Sequence, residues 1–261
     1  MERHNQIVQD VSDKIRDFYK LRQPYRVFHG SSSSTRPRHA SDTNVIDTSM
    51  LSQVISVDTV QNTCLVEPNV PMDRLVEATM SYSLVPPVVM EFPGIIAGGG
   101  FAGTSGESSS FRHGFFNETV HFVEIILGNG DMIRASHDEH EDLFHGAAGA
   151  ETLGLVILMQ VRLVEAKQFF KTTYHRVDSV STAISTTKQC CEKVDVDYVD
   201  SILYSTDHGV VITGELTANK LGDCPIRTFS NAGDPWFYLH VREKTESNPP
   251  SPTVTEYIPL G

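Results

Sequence analysis

Two stretches rich in glycine and hydroxyl groups carry the residue types that could do chemistry in this chain. The first is His29-Gly30-Ser31-Ser32-Ser33-Ser34-Thr35. The second, PGIIAGGGFAGTSGESSSFRHG over positions 93–114, holds seven glycines and five Ser/Thr hydroxyls with almost no charge. Backbone N–H groups in turns without Cβ atoms form concave nests that hold phosphate oxygens. Short hydroxyls beside them add donors, and both stretches supply them: Ser31 to Thr35 in one, Thr104, Ser105 and Ser108 to Ser110 in the other. Each stretch follows a predicted strand, so a diphosphate held between two such cradles is the chemistry they suggest. The competing reading is that both are plain turns, since Gly-Ser runs are common punctuation. That reading is weaker for the second stretch. A long glycine loop interleaved with Ile95, Ile96, Phe101 and Phe111 needs a reason inside a compact domain. Neither stretch completes a Walker or Rossmann motif: Gly98-Gly99-Gly100 has no Gly-Lys-Ser/Thr after it, and no ribose-binding acid stands at the expected distance.

The titratable residues are fewer and less specific. Glu107 lies inside the second stretch, where phosphates would repel it. It either points outward or pairs with Arg112 or another cation, or burial raises its pKa so that it exchanges protons. Glu91 carries the same two readings. His137, Asp138, Glu139, His140, Glu141, Asp142 and His145 have metal-ligating types but no HExxH order, and acids are favoured at a helix start by the macrodipole, so no metal is expected. No serine sits in a G-x-S-x-G elbow. Cys64, Cys190, Cys191 and Cys224 follow neither a disulfide framework nor a zinc spacing, which fits a reducing, cytoplasmic address.

The elements that must position these residues are legible in the apolar pattern. Val8, Val11, Ile15 and Phe18 recur at helical spacing and predict an amphipathic N-terminal helix. Short strands are expected at Tyr25–Phe28, Asn44–Asp47, Val54–Val57 and Cys64–Glu67, with a helix opening at Pro71. The glycine stretch is predicted not to be a regular helix, because each interior glycine costs about 1 kcal/mol relative to alanine. VHFVEIILGNGDMIRAS reads as a hairpin turning at Gly128, Asn129 and Gly130. Ser136 is expected to cap a helix through Asp142 and Phe144, and LGLVILMQVRLV is a further strand ending near Glu165. Beyond Lys167 the texture becomes strand-rich: FFKTTYHRV, SILYS and GVVITGELT, with a helix around Ala183–Cys191 and a proline-rich tail, SNPPSPTVTEYIPLG, expected to be loop.

The whole is an α+β chain of 261 residues, divided here into 1–166 and 167–261. Its net charge of −12, from 21 basic and 33 acidic residues, argues against a nucleic-acid backbone or an anionic membrane as partner. No run of eighteen apolar residues predicts a transmembrane anchor, and the charged N-terminus has no signal-peptide core.

GGGFAGTSGESSSFRHGFF resembles the glycine-rich signature of FAD-binding domains of the vanillyl-alcohol oxidase (PCMH) type, in the variant of the Δ24-sterol reductases and their fungal relatives. LVEPNVPMDRLV is similar to the strand and helix upstream of it in that family. DLFHGAAGAETLGLV is similar to the element downstream, and weaker similarity runs through SILYSTDHGVVITGELT, PWFYLHV and EYIPL. The resemblance implies a PCMH-type domain with two α/β subdomains over 1–166, followed by a strand-rich α+β substrate domain over 167–261 that is cut short. It implies FAD as cofactor. His29 to Thr35 would bracket its pyrophosphate together with Gly98, Gly99, Gly100, Gly103, Thr104, Ser105, Gly106 and Ser109. Gly154, Leu155 and Val156 would lie beside the adenine end. His113, before Gly114, would lie near the flavin or else be a half-buried histidine bonded to backbone. His113 and Glu107 are the two catalytic candidates.

Two functions of different class follow. In the first, an FAD-linked oxidoreductase exchanges a hydride with an apolar, terpenoid or steroid-like small molecule, in secondary metabolism. In the second, a redox-silent relative in a biosynthetic pathway acts as a cyclase of Diels–Alder type, where confinement of a polyene removes up to roughly 7–11 kcal/mol of barrier. A third reading is a subunit without activity of its own, with a second copy or a complementing chain as partner.

Overall fold

The protein is described by a computed structural model over residues 1–30, 44–149, 153–220, 222–246 and 253–260. It forms two compact units, Met1–Glu107 with His113–Val164, and Ser108–Arg112 with Glu165–Gly261.

The first unit opens with α1 (Glu2–Lys20), then β1 (Arg26–Phe28), β2 (Val45–Asp47), β3 (Val54–Asp58) and β4 (Thr63–Val66). There follow α2 (Met72–Met80), β5 (Leu84–Val85), α3 (Ala97–Ala102) and a 3-10 turn at Phe116–Thr119, while α4 (Ser110–His113) belongs to the second unit up to Arg112. The hairpin β6 (Val120–Leu127) and β7 (Met132–Ser136), α5 (Glu141–Gly149), β8 (Gly154–Arg162) and the short β9 (Val164–Glu165) complete the series. β1 and β2 pair in parallel. The remaining long strands form an antiparallel sheet in the order β3-β4-β8-β6-β7.

This sheet has an apolar layer on both faces, because α1 covers one and the later helices the other. Val8, Val11 and Ile15 of α1 pack with Ile126 of β6 and Ile157 of β8. Val123, Ile125, Met159 and Val161 pack instead with Leu75 of α2, Phe101 of α3 and Phe144 of α5. Burying each such side chain contributes about 1.5–3 kcal/mol, so docking of these amphipathic helices is what the core rewards. Ser12 adds a directional contact, donating to the Gly130 carbonyl at the hairpin turn at 2.7 Å.

The second unit is one antiparallel sheet of β10 (Phe169–Val177), β11 (Tyr198–Leu203), β12 (Gly209–Thr217) and β13 (Thr253–Pro259), in the order β11-β12-β10-β13. It carries α6 (Val180–Cys191) and α7 (Phe237–Glu246). The period of two along the strands splits its faces. Val177, Val199 and Val211 pack with Ala183 and Cys190 of α6, while Tyr174, Val210 and Ile212 pack with Val241 of α7.

The α+β class read from the sequence is the class observed. Three local expectations are corrected, and one element is added. Ala97–Ala102 is helical despite three consecutive glycines. Ser136 is not the cap of α5: its Oγ accepts from the N–H groups of Asp138 and Glu139, shaping a turn, and the helix begins at Glu141. The proline-rich tail contains a strand, β13, paired along β10. PWFYLHV leads into a helix, α7, that the sequence does not announce. Among the described residues no helix is long and apolar enough to cross a membrane.

Candidate functional site

Four consecutive buried residues after β4, Glu67, Pro68, Asn69 and Val70, form a hub between the two cradles. Toward the glycine stretch, the Pro68 carbonyl accepts from Gly98 N–H at 2.8 Å and the Val70 carbonyl from Ala97 N–H at 2.8 Å. Toward the first loop, Asn69 N–H donates to the Leu51 carbonyl at 2.9 Å and its Nδ2 to the Thr48 carbonyl at 2.6 Å. Thr48 in turn donates to the Phe28 carbonyl twice, through its N–H at 2.7 Å and its hydroxyl at 3.2 Å. Phe28 ends β1 and immediately precedes His29-Gly30. The root of the first loop and Gly98 are therefore joined through Thr48, Asn69 and Pro68, although they lie far apart along the chain.

Of the first loop, His29 and Gly30 are described; Ser31, Ser32, Ser33, Ser34 and Thr35 lie outside the described residues. Gly30 adopts φ +75, and a Cβ there would stand 3.3 Å from the Ser49 Cβ. The left-handed region and the close neighbour both favour glycine.

The glycines of α3 do two different things. A Cβ on Gly98 would meet the Pro68 Cβ at 2.8 Å and the Pro68 carbonyl oxygen at 3.1 Å, and one on Gly100 would meet the Met90 Cε at 2.4 Å. These two glycines let α3 press onto the hub and the core, with Phe101 against Phe144 at 5.5 Å between ring centroids. That close packing offsets their poor helix propensity, which is why the helix forms. Gly99 differs. Its nearest Cβ neighbour would be Ile96 Cγ1 at 3.4 Å, an ordinary contact, and among the described residues its N–H has no acceptor. Gly103, Thr104 and Gly106 follow, all exposed. This set of uncovered glycines, an open amide and the Thr104 hydroxyl suits a diphosphate in donor type.

Two bonds pin the far side of this turn. The Ser105 carbonyl accepts from Phe116 N–H at 2.8 Å, and Glu107 Oε1 accepts from Glu91 N–H at 3.0 Å. Phe115 and Phe92, next in sequence to these anchors, are 51% and 66% exposed. His113 ends α4 and is half-buried. Ser109 and Arg112 belong to the second unit. There the Ser108 carbonyl accepts from Val199 N–H at 2.8 Å, and Arg112 donates to the carbonyls of Lys193, Val194 and Val196. Gly154, Leu155 and Val156 open β8, opposite Leu127, Ile126 and Ile125 of β6, in the sheet that also carries β4.

Sequence reasoning missed the hub itself. Thr48, Pro68 and Asn69 act through backbone groups, one hydroxyl and one amide side chain, and the polar interruption EPN between an apolar strand and a helix signals only Pro68 and Asn69.

A family model described as "FAD binding domain" matches residues 6–136, half of the chain. The chain is also similar to Delta(24)-sterol reductase of Homo sapiens, 28% identical over 80% of this chain and 40% of that protein. It is similar to Delta(24)-sterol reductase of Rattus norvegicus, 27% identical over 98% of this chain and 50% of that protein. A shorter match, 32% identical over 29% of this chain and 15% of the relative, is to cytokinin dehydrogenase 9 of Oryza sativa subsp. japonica. The chain thus spans between two fifths and one half of the sterol reductases it matches.

Proposed function

We propose that this chain, which belongs to the FAD binding domain family, is an FAD-dependent oxidoreductase acting on an apolar, terpenoid or steroid-like substrate. FAD is the cofactor the family serves, and when bound it supplies hydride exchange with a carbon centre of the substrate. The protein's part is to hold and orient. The first loop, His29 to Thr35, and the second, Gly98, Gly99, Gly100, Gly103, Thr104, Ser105 and Gly106, grip the diphosphate, with Gly154, Leu155 and Val156 beside the adenine.

The observation that carries this reading is the hydrogen-bonded path from Phe28 through Thr48, Asn69 and Pro68 to Gly98. It fixes the roots of both cradles to one hub, as a single ligand held by both requires. Exposed Phe92 and Phe115 support an apolar substrate, since large rings left in water favour an apolar occupant. Glu107 is engaged by the Glu91 N–H, which supports a fastening role for it and leaves His113 as the candidate for proton transfer.

The test is direct. The purified protein is denatured and the released chromophore identified, and apoprotein is titrated with FAD. Stoichiometric FAD, together with substrate-dependent change of its absorbance, supports the reading. A colourless protein that ignores added FAD overturns it. If that protein also converts a linear polyene to a cyclic isomer of equal mass, the cyclase reading takes its place.

A further inference from the structure

Glu67 is fully buried, and its carboxylate reaches back to the N-terminal helix. His4 Nδ1 stands 2.9 Å from Glu67 Oε1, with the two side chains 2% and 0% exposed. Glu67 Oε2 accepts from Gln53 N–H at 2.7 Å and lies 3.5 Å from Arg3 Nη1, while Arg3 Nη2 donates to the Met50 carbonyl. The backbone N–H of Glu67 donates to the Gln53 carbonyl at 3.0 Å. Residues 3 and 4 of α1 are thereby tied to the first residue of the hub and to the segment 50–53 that leads out of Thr48.

Core filling does not explain this arrangement. A buried polar or charged pair is a weak route to stability, often matched or bettered by apolar residues of the same volume, whereas its directionality can fix one register. The apolar side of α1 is already satisfied by Val8, Val11 and Ile15. What the pair adds is orientation of the turn 67–70, whose next two residues hold Gly98 and Thr48.

We propose that His4 and Glu67 form a positioning latch, through which docking of α1 sets the spacing between Gly30, the root of the first loop, and Gly98 of the second for the FAD diphosphate. The proposal rests on the reading that FAD is held by these loops. Linkage then makes the effect reciprocal: docked α1 tightens FAD, and FAD tightens the docking of α1 by the same factor.

The experiment titrates apoprotein with FAD, following flavin fluorescence, for the wild type, His4→Gln, His4→Asn, Glu67→Gln and the exposed α1 control Gln9→Ala. Asn places an amide N–H where His Nδ1 stands, whereas Gln places it near the Nε2 position. His4→Gln and Glu67→Gln are expected to weaken FAD by roughly 5–150-fold, while His4→Asn and Gln9→Ala keep the wild-type affinity. Hydrogen exchange gives the second readout: FAD slows exchange across α1 in the wild type and not in His4→Gln. Unchanged FAD affinity in folded His4→Gln and Glu67→Gln, or exchange in α1 that ignores FAD, overturns the latch while leaving the cofactor assignment intact. A wild type that binds no FAD overturns both. Should Glu67→Gln not fold, the contrast between His4→Asn and His4→Gln decides.

Discussion

Asn69 Nδ2 donates to the Thr48 carbonyl at 2.6 Å, and both residues are buried. This bond ties the turn after β4 to the turn after β2, and through them the glycine stretch to the end of β1. Removing it leaves the Thr48 carbonyl with the Leu51 N–H alone, at 2.8 Å, at a cost of about 0.5–1.5 kcal/mol for the lost bond. Asn69→Ala is expected to lower the urea midpoint accordingly and to weaken FAD in addition. Asn69→Asp, which keeps the shape and loses the donor, is expected to do the same. Denaturation curves paired with FAD titrations check both.

Adjacent glycines in α3 should respond in opposite ways. Gly98→Ala drives a Cβ into Pro68, whose Cβ stands at 2.8 Å and carbonyl oxygen at 3.1 Å, and strain of this kind costs about 1–3 kcal/mol. Gly99→Ala meets only an ordinary contact at 3.4 Å and gains helix propensity of about 0.5–1 kcal/mol. It also covers the approach to the open amide. Thermal melts should show Gly98→Ala destabilised and Gly99→Ala equal to or above the wild type, while flavin titration shows Gly99→Ala binding FAD more weakly.

Acid should destabilise the second unit. Burial, then the Arg176 charge, holds the His208 pKa below its ordinary value, against the opposing pull of Glu246 and Asp207. His175 is lowered by burial and then by Lys193. Burial alone would raise Glu256, but bonds from His240, Arg227 and Tyr174 hold it below the usual carboxylate range. All three folded values lie below their unfolded ones, so each contributes stability that is complete above the unfolded pKa and lost as pH falls through the folded one. Two steps of loss are expected, beginning below about 6.5 for the histidines and below about 4.3 for Glu256. The pH dependence of the unfolding midpoint reads them, and Glu256→Gln should remove the lower step.

Much of the scaffold was legible because its signals are local. The helical spacing of Val8, Val11 and Ile15, the β-branched and aromatic runs of β10 and β12, and the Gly128-Asn129-Gly130 turn each report an element without reference to the rest. What escaped depends on distant partners. β13 carries Pro259 and follows a proline-rich run, and it is a strand because the edge of β10 pairs with it; edge strands tolerate proline. α7 begins with aromatic residues of poor helix propensity and forms where Val241 packs against Tyr174. In the candidate site the glycine loops stood out by composition. Pro68, Asn69 and Thr48 did not, because their work is done by backbone groups, one hydroxyl and one side-chain amide whose partners lie about twenty or more residues away.

The two exposed rings make a separate prediction for substrate choice. Phe92→Ser with Phe115→Ser removes apolar surface from residues already 66% and 51% exposed, so folding and FAD binding should change little. The KM for a sterol- or terpenoid-like substrate should rise by about tenfold or more, since each buried ring loses about 1.5–3 kcal/mol of burial. Steady-state kinetics on the FAD-loaded protein checks this, and an unchanged KM removes the apolar rim from the account.

The central claim is that two separated backbone cradles close on one diphosphate. Hydrogen exchange with and without saturating FAD measures it most directly, read on peptides covering residues 29–35 and 98–107. The account predicts that both segments gain protection together, at the same FAD concentration, while exposed surface such as Val60 does not. Protection confined to one of the two segments, or to neither in a protein that demonstrably holds FAD, would contradict it.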